Sequence, residues 1–433
     1  MRTANILSVL FMVGCSSVDL PQGVETRSTY SAPMATPLGV TVQAVGKEFY
    51  NAETPAFLSF SMQKSYAFAD AKGMTLYTYD KDQKNPGKST CAEQCADQWP
   101  PLLAPDDVAL EPEGVWSLIM REDGSAQWAY RNMPLYRYAK DTLVGHDLGR
   151  GLEAGSWQVA SFDPAAHITL PASMHVEEVP DALGQALFNE NGRVLYAYEG
   201  DLAISKPRCG ALACQWTPVP APLLAAPLGD FSIVTSAADQ TRQWAYKEQP
   251  LFTFSGDFES GYAAGIGIDE KMRVALLTRY FKPPGVTLQS TKSQGKILAN
   301  SRGMALYRRD SWAFQQGGHG IRRGVPPRPV VGRGIGTSMQ GCDDDCQRVW
   351  IPFKASEGDQ ASGFWQITSR DDGTRQWVYK GYALYTYAGD QKPGDLLGTD
   401  QYDFIISLDA KKQTSYPAPH HGMGALAWLY AFP

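Results

Sequence analysis

Histidine is scarce in this chain, with six residues in 433, and none of the six recurs at a fixed interval. There is no His-Glu-x-x-His pair, no Gly-x-Ser-x-Gly elbow and no phosphate-cradling glycine loop, so the usual marks of zinc peptidases, serine hydrolases and P-loop enzymes are missing. No Cys-x-x-Cys-His attaches a haem. Heptads of Leu, Glu and Lys are absent, which removes coiled coils. Basic charge is in deficit, 39 Lys and Arg against 45 Asp and Glu, and a polyanionic nucleic acid is repelled by that balance. Two fragments of chemistry remain incomplete. Ser61 and Lys64 form a lone Ser-x-x-Lys without its companion phrases. Asp80 and Asp82 open like a calcium loop, which Lys84 breaks where a third oxygen is required. The chain is expected not to be an enzyme and to need no cofactor.

No apolar run reaches the roughly 20 residues needed to span a bilayer. The longest near the start, Ile6 to Val13, follows Arg2 and precedes Gly14-Cys15. This stretch resembles a bacterial lipoprotein signal with its lipobox, with Met12 where leucine is usual. The resemblance implies a signal peptide at 1–14 and a Cys15 that carries acyl chains, more than one being needed for stable anchoring. Ser16 then implies the outer membrane. Residues 15–45, rich in Ser, Thr, Pro and Gly, read as lipidated cysteine plus flexible tether.

What the chain has in quantity is Gly (41), Pro (29), Tyr (21) and Trp (11), the composition of short strands joined by turns. It also repeats. GMTLYTYDKD (73–82) returns as GRVLYAYEGD (192–201) and as GMALYRRD (303–310), each behind a short apolar phrase: SYAFAD, GQALFN, GKILAN. A cysteine pair and a tryptophan follow each copy: Cys91/Cys95 with Trp99, Cys209/Cys214 with Trp216, and Cys342/Cys346 with Trp350. A second half then carries a Gln-Trp pair and, eight residues beyond the tryptophan, another aromatic: Trp128 to Tyr136, Trp244 to Phe252, Trp377 to Tyr385. Spacing held through three copies marks a duplicated unit.

Alternation sets the local structure. Tyr77 and Tyr79 share one face of a strand and Leu76 and Thr78 the other; Tyr136/Tyr138, Tyr196/Tyr198 and Tyr385/Tyr387 repeat the pattern. The aspartates closing these phrases (Asp82, Asp141, Asp201, Asp257, Asp390) are expected to cap the following turns. The fold class is all-β: three tandem units of roughly 110 residues, each made of two blade-like half-units of short antiparallel strands. Radial closure into a propeller and an open stack both fit. Units are placed at 46–165, 166–283 and 284–410. The third carries a Gly/Arg-rich insertion at 311–341, read as a solvated loop. A tail at 411–433, too apolar for water, is expected to pack as a closing strand or dock on a partner or membrane face.

These phrases resemble the secreted repeat of bacterial lipoproteins, a family of unknown function, over residues 60–410. Departures are local: Arg309 replaces the second aromatic in unit three, and Phe252 and Phe254 replace both tyrosines in the second half of unit two. A Phe-Phe copy argues for packing rather than hydroxyl chemistry.

Six cysteines besides Cys15 allow 15 pairings. Duplication of an intact unit favours bridges 91–95, 209–214 and 342–346 in an oxidising compartment, each closing a distorted turn or helix end. The competing reading is a copper or electron-transfer site in which Cys91 and Cys95 join His420, His421 and Met423, since soft ligands select Cu(I). The leading expectation is a lipid-anchored envelope protein that presents a β scaffold to an envelope protein or glycan.

Overall fold

In the computed structural model, the described residues are 32–45, 65–108, 110, 114–142, 144–163, 168–199, 216–235, 240–257, 263–291, 295–311, 344–370, 372–399, 402–405, 415–417 and 426–433. Cys15, Ser61, Lys64, Asp201, Cys209, Cys214, Cys342, His420, His421, Met423 and the insertion at 312–341 lie outside them. Cys346 is described in its backbone alone, as part of the helix Asp344–Val349. Among the described residues the architecture is all-β, in sheets that do not close on themselves.

Each unit opens with an antiparallel hairpin: Val40–Val45 with Ser65–Asp70, Met174–Val179 with Gly184–Asn189, and Val286–Thr291 with Gly295–Asn300. The exit from each hairpin is an Asx turn. Asp70 Oδ1 accepts the backbone N–H of Lys72 and Met74, Asn189 Oδ1 those of Asn191 and Arg193, and Asn300 Oδ1 those of Arg302 and Met304. A glycine at φ 81°, 71° and 75° (Gly73, Gly192, Gly303) completes it, because the left-handed region costs glycine nothing.

The turn delivers a tyrosine strand: Tyr77–Tyr79, Tyr196–Tyr198 or Tyr307–Ser311. A central hairpin follows: Trp116–Met120 with Ala126–Tyr130, Phe231–Thr235 with Arg242–Tyr246, and Trp365–Ser369 with Arg375–Tyr379. A closing strand then lies against the tyrosine strand: Trp157–Val159, Met272–Val274 or Leu426–Tyr430. Alternation divides the interior as the pleat requires. Leu76 and Leu306 face one core shared by units one and three, with Phe68, Trp116, Trp128, Phe364, Trp365 and Trp377. Tyr77, Tyr196 and Tyr307 face three separate aromatic cores, one per unit.

Two boundaries differ from the sequence reading. Residues 32–45, taken as the end of a tether, are built into the body. Val40–Val45 is the first strand of unit one, and the segment before it bonds to the other two units. Ala35 N–H donates to Arg279 O, Arg279 N–H to Pro33 O, Gly39 N–H to Ala361 O and Val42 N–H to Gly363 O. The composition is that of a linker, but three partner backbones take up its polar groups. The tail, separated from unit three by its prolines, is that unit's closing strand: Tyr430 pairs with Tyr307, and Leu298 N–H donates to Ala431 O.

Candidate functional site: a tyrosine–aspartate junction built three times

The repeated phrases converge at the centre of each aromatic core. Tyr77 OH donates to Asp141 at 2.6 Å, Tyr196 OH to Asp257 at 3.2 Å and Tyr307 OH to Asp390 at 2.7 Å. The aspartate reaches onward as well. Its Oδ1 accepts the backbone N–H seven residues later, from Leu148, Ala264 or Leu397. The next residue, Gly149, Gly265 or Gly398, donates its own N–H to the phenol oxygen at 3.1–3.3 Å. All three phenol–aspartate pairs are buried.

The tryptophan after each cysteine pair covers the junction. Trp99, Trp216 and Trp350 meet Tyr77, Tyr196 and Tyr307 edge-on at 5.4, 5.0 and 5.4 Å. They lean on Tyr138, Phe254 and Tyr387 at 4.4, 4.7 and 4.7 Å. The three glycines are there because nothing larger fits. A Cβ at Gly149, Gly265 or Gly398 would lie 2.7, 2.7 or 2.8 Å from the indole of Trp99, Trp216 or Trp350. Sequence reasoning missed these glycines, although Asp and Gly stand eight apart in each copy.

The Gln-Trp pairs are equally regular. Gln127, Gln243 and Gln376 are buried, and each amide donates to the carbonyl eight residues on, Leu135, Leu251 or Leu384, at 2.7–2.8 Å. Arg121 and Arg370 hold the other end of two of these amides. Trp128, Trp244 and Trp377 pack edge-on against Trp116, Phe231 and Trp365 at 6.0, 6.4 and 5.8 Å. The three tryptophans therefore keep the same immediate partners, while Trp128 and Trp377 also face the core shared by units one and three.

Unit one carries the junction in both directions. Tyr136 OH donates to Asp82 at 2.7 Å, and Tyr77 and Tyr136 exchange both backbone hydrogen bonds. Asp82 also caps the following loop, accepting from Thr90 N–H and Oγ1. Asp82, Asp141, Asp257 and Asp390 thus cap turns as expected and, in addition, bind the tyrosine of the opposite half; Asp201 lies outside the described residues. Phe252 stands where Tyr136 and Tyr385 stand and pairs with Tyr196 through backbone alone.

Cys91 and Cys95 form a disulfide with Cα atoms 5.2 Å apart, at the entry to the helix Gln94–Gln98. Arg121 donates to Cys91 O and Ser89 Oγ. Cys91 packs beside Trp99, which stacks on Trp157 at 3.7 Å, and Trp157 in turn stacks on Tyr79 at 4.1 Å. Of the three bridges expected from the repeat, this one falls wholly within the described residues. Cys209, Cys214 and Cys342 lie outside them, as does the side chain of Cys346, so the 209–214 and 342–346 pairings receive no support from the structure. The backbone of Cys346 does keep its place in the unit: it lies in the helix Asp344–Val349 four residues before Trp350, as Cys95 lies in Gln94–Gln98 four residues before Trp99. Two sulfurs bonded to each other offer no thiolate to a metal. Among the described residues no group of three or more His, Cys, Asp or Glu is placed to hold an ion.

Burial pushes the Tyr77, Tyr136, Tyr196 and Tyr307 phenols well above the ordinary tyrosine range. It also raises Asp141 and Asp390, and takes Asp257 up to about 6. In each pair the phenol O–H donates and the carboxyl oxygen accepts.

Among the described residues no helix is long and apolar enough to cross a membrane. No curated protein and no solved structure matches the chain. Residues 67–103, 117–161 and 366–405 match the family model of a secreted repeat of unknown function. The first two segments hold the junction of unit one from Tyr77 to Asp141, and the third holds Asp390 and Gly398 of unit three. The matched segments lie in units one and three, and there the chain carries the secreted repeat of unknown function.

Proposed function

We propose that the protein is a lipid-anchored envelope protein that acts as a non-enzymatic binding scaffold for an envelope protein or glycan. The observation that supports the reading is the fate of the recurring residues. Tyr77, Tyr196 and Tyr307, their aspartates, and the Trp, Gly and Gln that accompany them are buried and bonded within their own units. What recurs is the frame, and recognition falls to the loops that differ from unit to unit. A secreted family fits an extracellular or envelope setting, and the lipobox-like start at Gly14-Cys15 supplies the anchor.

Metabolic labelling with a fatty acid, followed by photo-crosslinked capture from the envelope, tests both parts. Label at Cys15 that is lost in Cys15→Ser, together with one reproducible captured protein or glycan, is the expected result. Absence of label overturns the anchor. Cu(I) held on free Cys91 and Cys95 thiols, or turnover of cell-wall material that disappears with Ser61→Ala or Lys64→Ala, overturns the scaffold.

A further inference from the structure

One β-turn recurs at the same place in all three units, after the extended segment that follows the cysteine pair and its tryptophan. Its position is fixed by an alanine N–H that donates to the central hairpin: Ala104 to Ala126 O, Ala221 to Arg242 O and Ala355 to Arg375 O. The two apex residues are exposed in each copy, and their chemistry differs. Unit one has Asp106-Asp107 and unit three Glu357-Gly358, whereas unit two has Leu223-Leu224, 83% and 94% exposed. From Pro218 to Gly229 the sequence PVPAPLLAAPLG contains no charged and no polar side chain. The backbone geometry is met by acidic residues elsewhere, so the turn itself does not call for leucine.

We propose that the turn Pro222–Ala225 inserts its two leucines into the interfacial region of a lipid bilayer. Lipid is the occupant because both leucines stand almost fully exposed at a turn apex on a protein that the Cys15 anchor proposed above holds at a bilayer. Part of the turn's backbone is already satisfied within the chain, which lowers the cost of placing it in lipid. Arg242 donates to the carbonyls of Pro222, Leu223 and Ala225, and Ala225 N–H closes the turn on Pro222 O. Pro218, Pro220, Pro222 and Pro227 remove four further N–H donors from the stretch. Arg375 clamps the unit-three turn in the same way, through Ser356, Glu357 and Asp359 carbonyls, which makes that turn a matched control with a polar apex.

The assignment rests on anchoring at Cys15 for bringing a bilayer within reach, so the test supplies the bilayer another way. The full chain as Cys15→Ser, with an N-terminal histidine tag, is tethered to nickel-chelating phosphatidylethanolamine/phosphatidylglycerol vesicles. A genetically encoded environment-sensitive fluorescent amino acid replaces Leu224 or, separately, Glu357. The expected result is a blue shift at position 224 with quenching by brominated lipid, neither at position 357, and loss of both when Leu223→Asp is added. Equal solvent exposure at 224 and 357 overturns the proposal. So does a blue shift at 224 that grows with protein concentration and ignores brominated lipid, which would identify a second copy of the chain as the occupant. Neither outcome depends on whether Cys15 is acylated in the cell.

Discussion

Tyr77 donates to Asp141 across 64 residues of chain, and Tyr136 donates to Asp82 across 54 in the opposite direction. Each half of unit one therefore completes the buried hydrogen bonding of the other. A half-unit on its own would carry an aspartate without its phenol and a tyrosine strand without its partner, so the pair of halves is the smallest satisfied piece.

Tyr77→Phe should destabilise the protein by about 1–3 kcal/mol, the cost of leaving a buried acceptor without its donor. Urea unfolding followed by tryptophan fluorescence measures it. A change within error of zero would mean that the hydroxyl contributes packing only.

Gly149→Ala, Gly265→Ala and Gly398→Ala should each cost about 1–3 kcal/mol, because the new methyl meets an indole at 2.7–2.8 Å. The same substitution at Gly87 meets no atom within 4 Å, but its φ of 77° strains any side chain, so it reports backbone cost without the clash. Near-ultraviolet circular dichroism should change for the first three and stay unaltered for Gly87→Ala.

Asp257 sets a pH dependence. Its carboxyl, raised by burial to about 6, holds its proton to higher pH in the folded chain than in the unfolded one. Folding is therefore most favoured by this group below about pH 4, and that contribution is lost as pH rises through about 6. Asp257→Asn keeps an Oδ1 for Tyr196 and Ala264 and removes the titration, so its melting temperature should vary less than wild type between pH 4 and 6. A steeper profile in the variant would assign the dependence elsewhere.

Reducing Cys91–Cys95, or replacing both with serine, should cost about 2 kcal/mol, since a loop of this size restricts the unfolded chain only modestly. Thermal melts with and without reductant give the value. A loss several times larger would show that the bridge positions Trp99 over Tyr77 as well as closing the loop.

The sequence disclosed whatever is written locally. Strand alternation and the eight-residue step from Trp128 to Tyr136 both rest on neighbours in the chain, and the structure places them as read. Asp141 was legible as the cap of the loop to Leu148 but not as the acceptor for Tyr77, because nothing near it in sequence names a partner 64 residues away. Gly149 could have been found from its fixed distance to Asp141 in each copy. Residues 32–45 could not, since their pairing is decided by Arg279, Ala361 and Gly363 and leaves no periodic mark on a linker-like composition.

That early segment also limits how the protein can evolve and emerge. Arrays in which each module touches only its neighbours gain or lose copies freely. Here the segment from Pro33 to Val42 bonds to residues more than two hundred positions later, and it ends on modules two and three at once. Excising the middle module would leave the strand with one docking edge gone, and adding a fourth would offer an edge with nothing to fill it. The segment from Pro33 to Val42 thus ties the first module to both of the others.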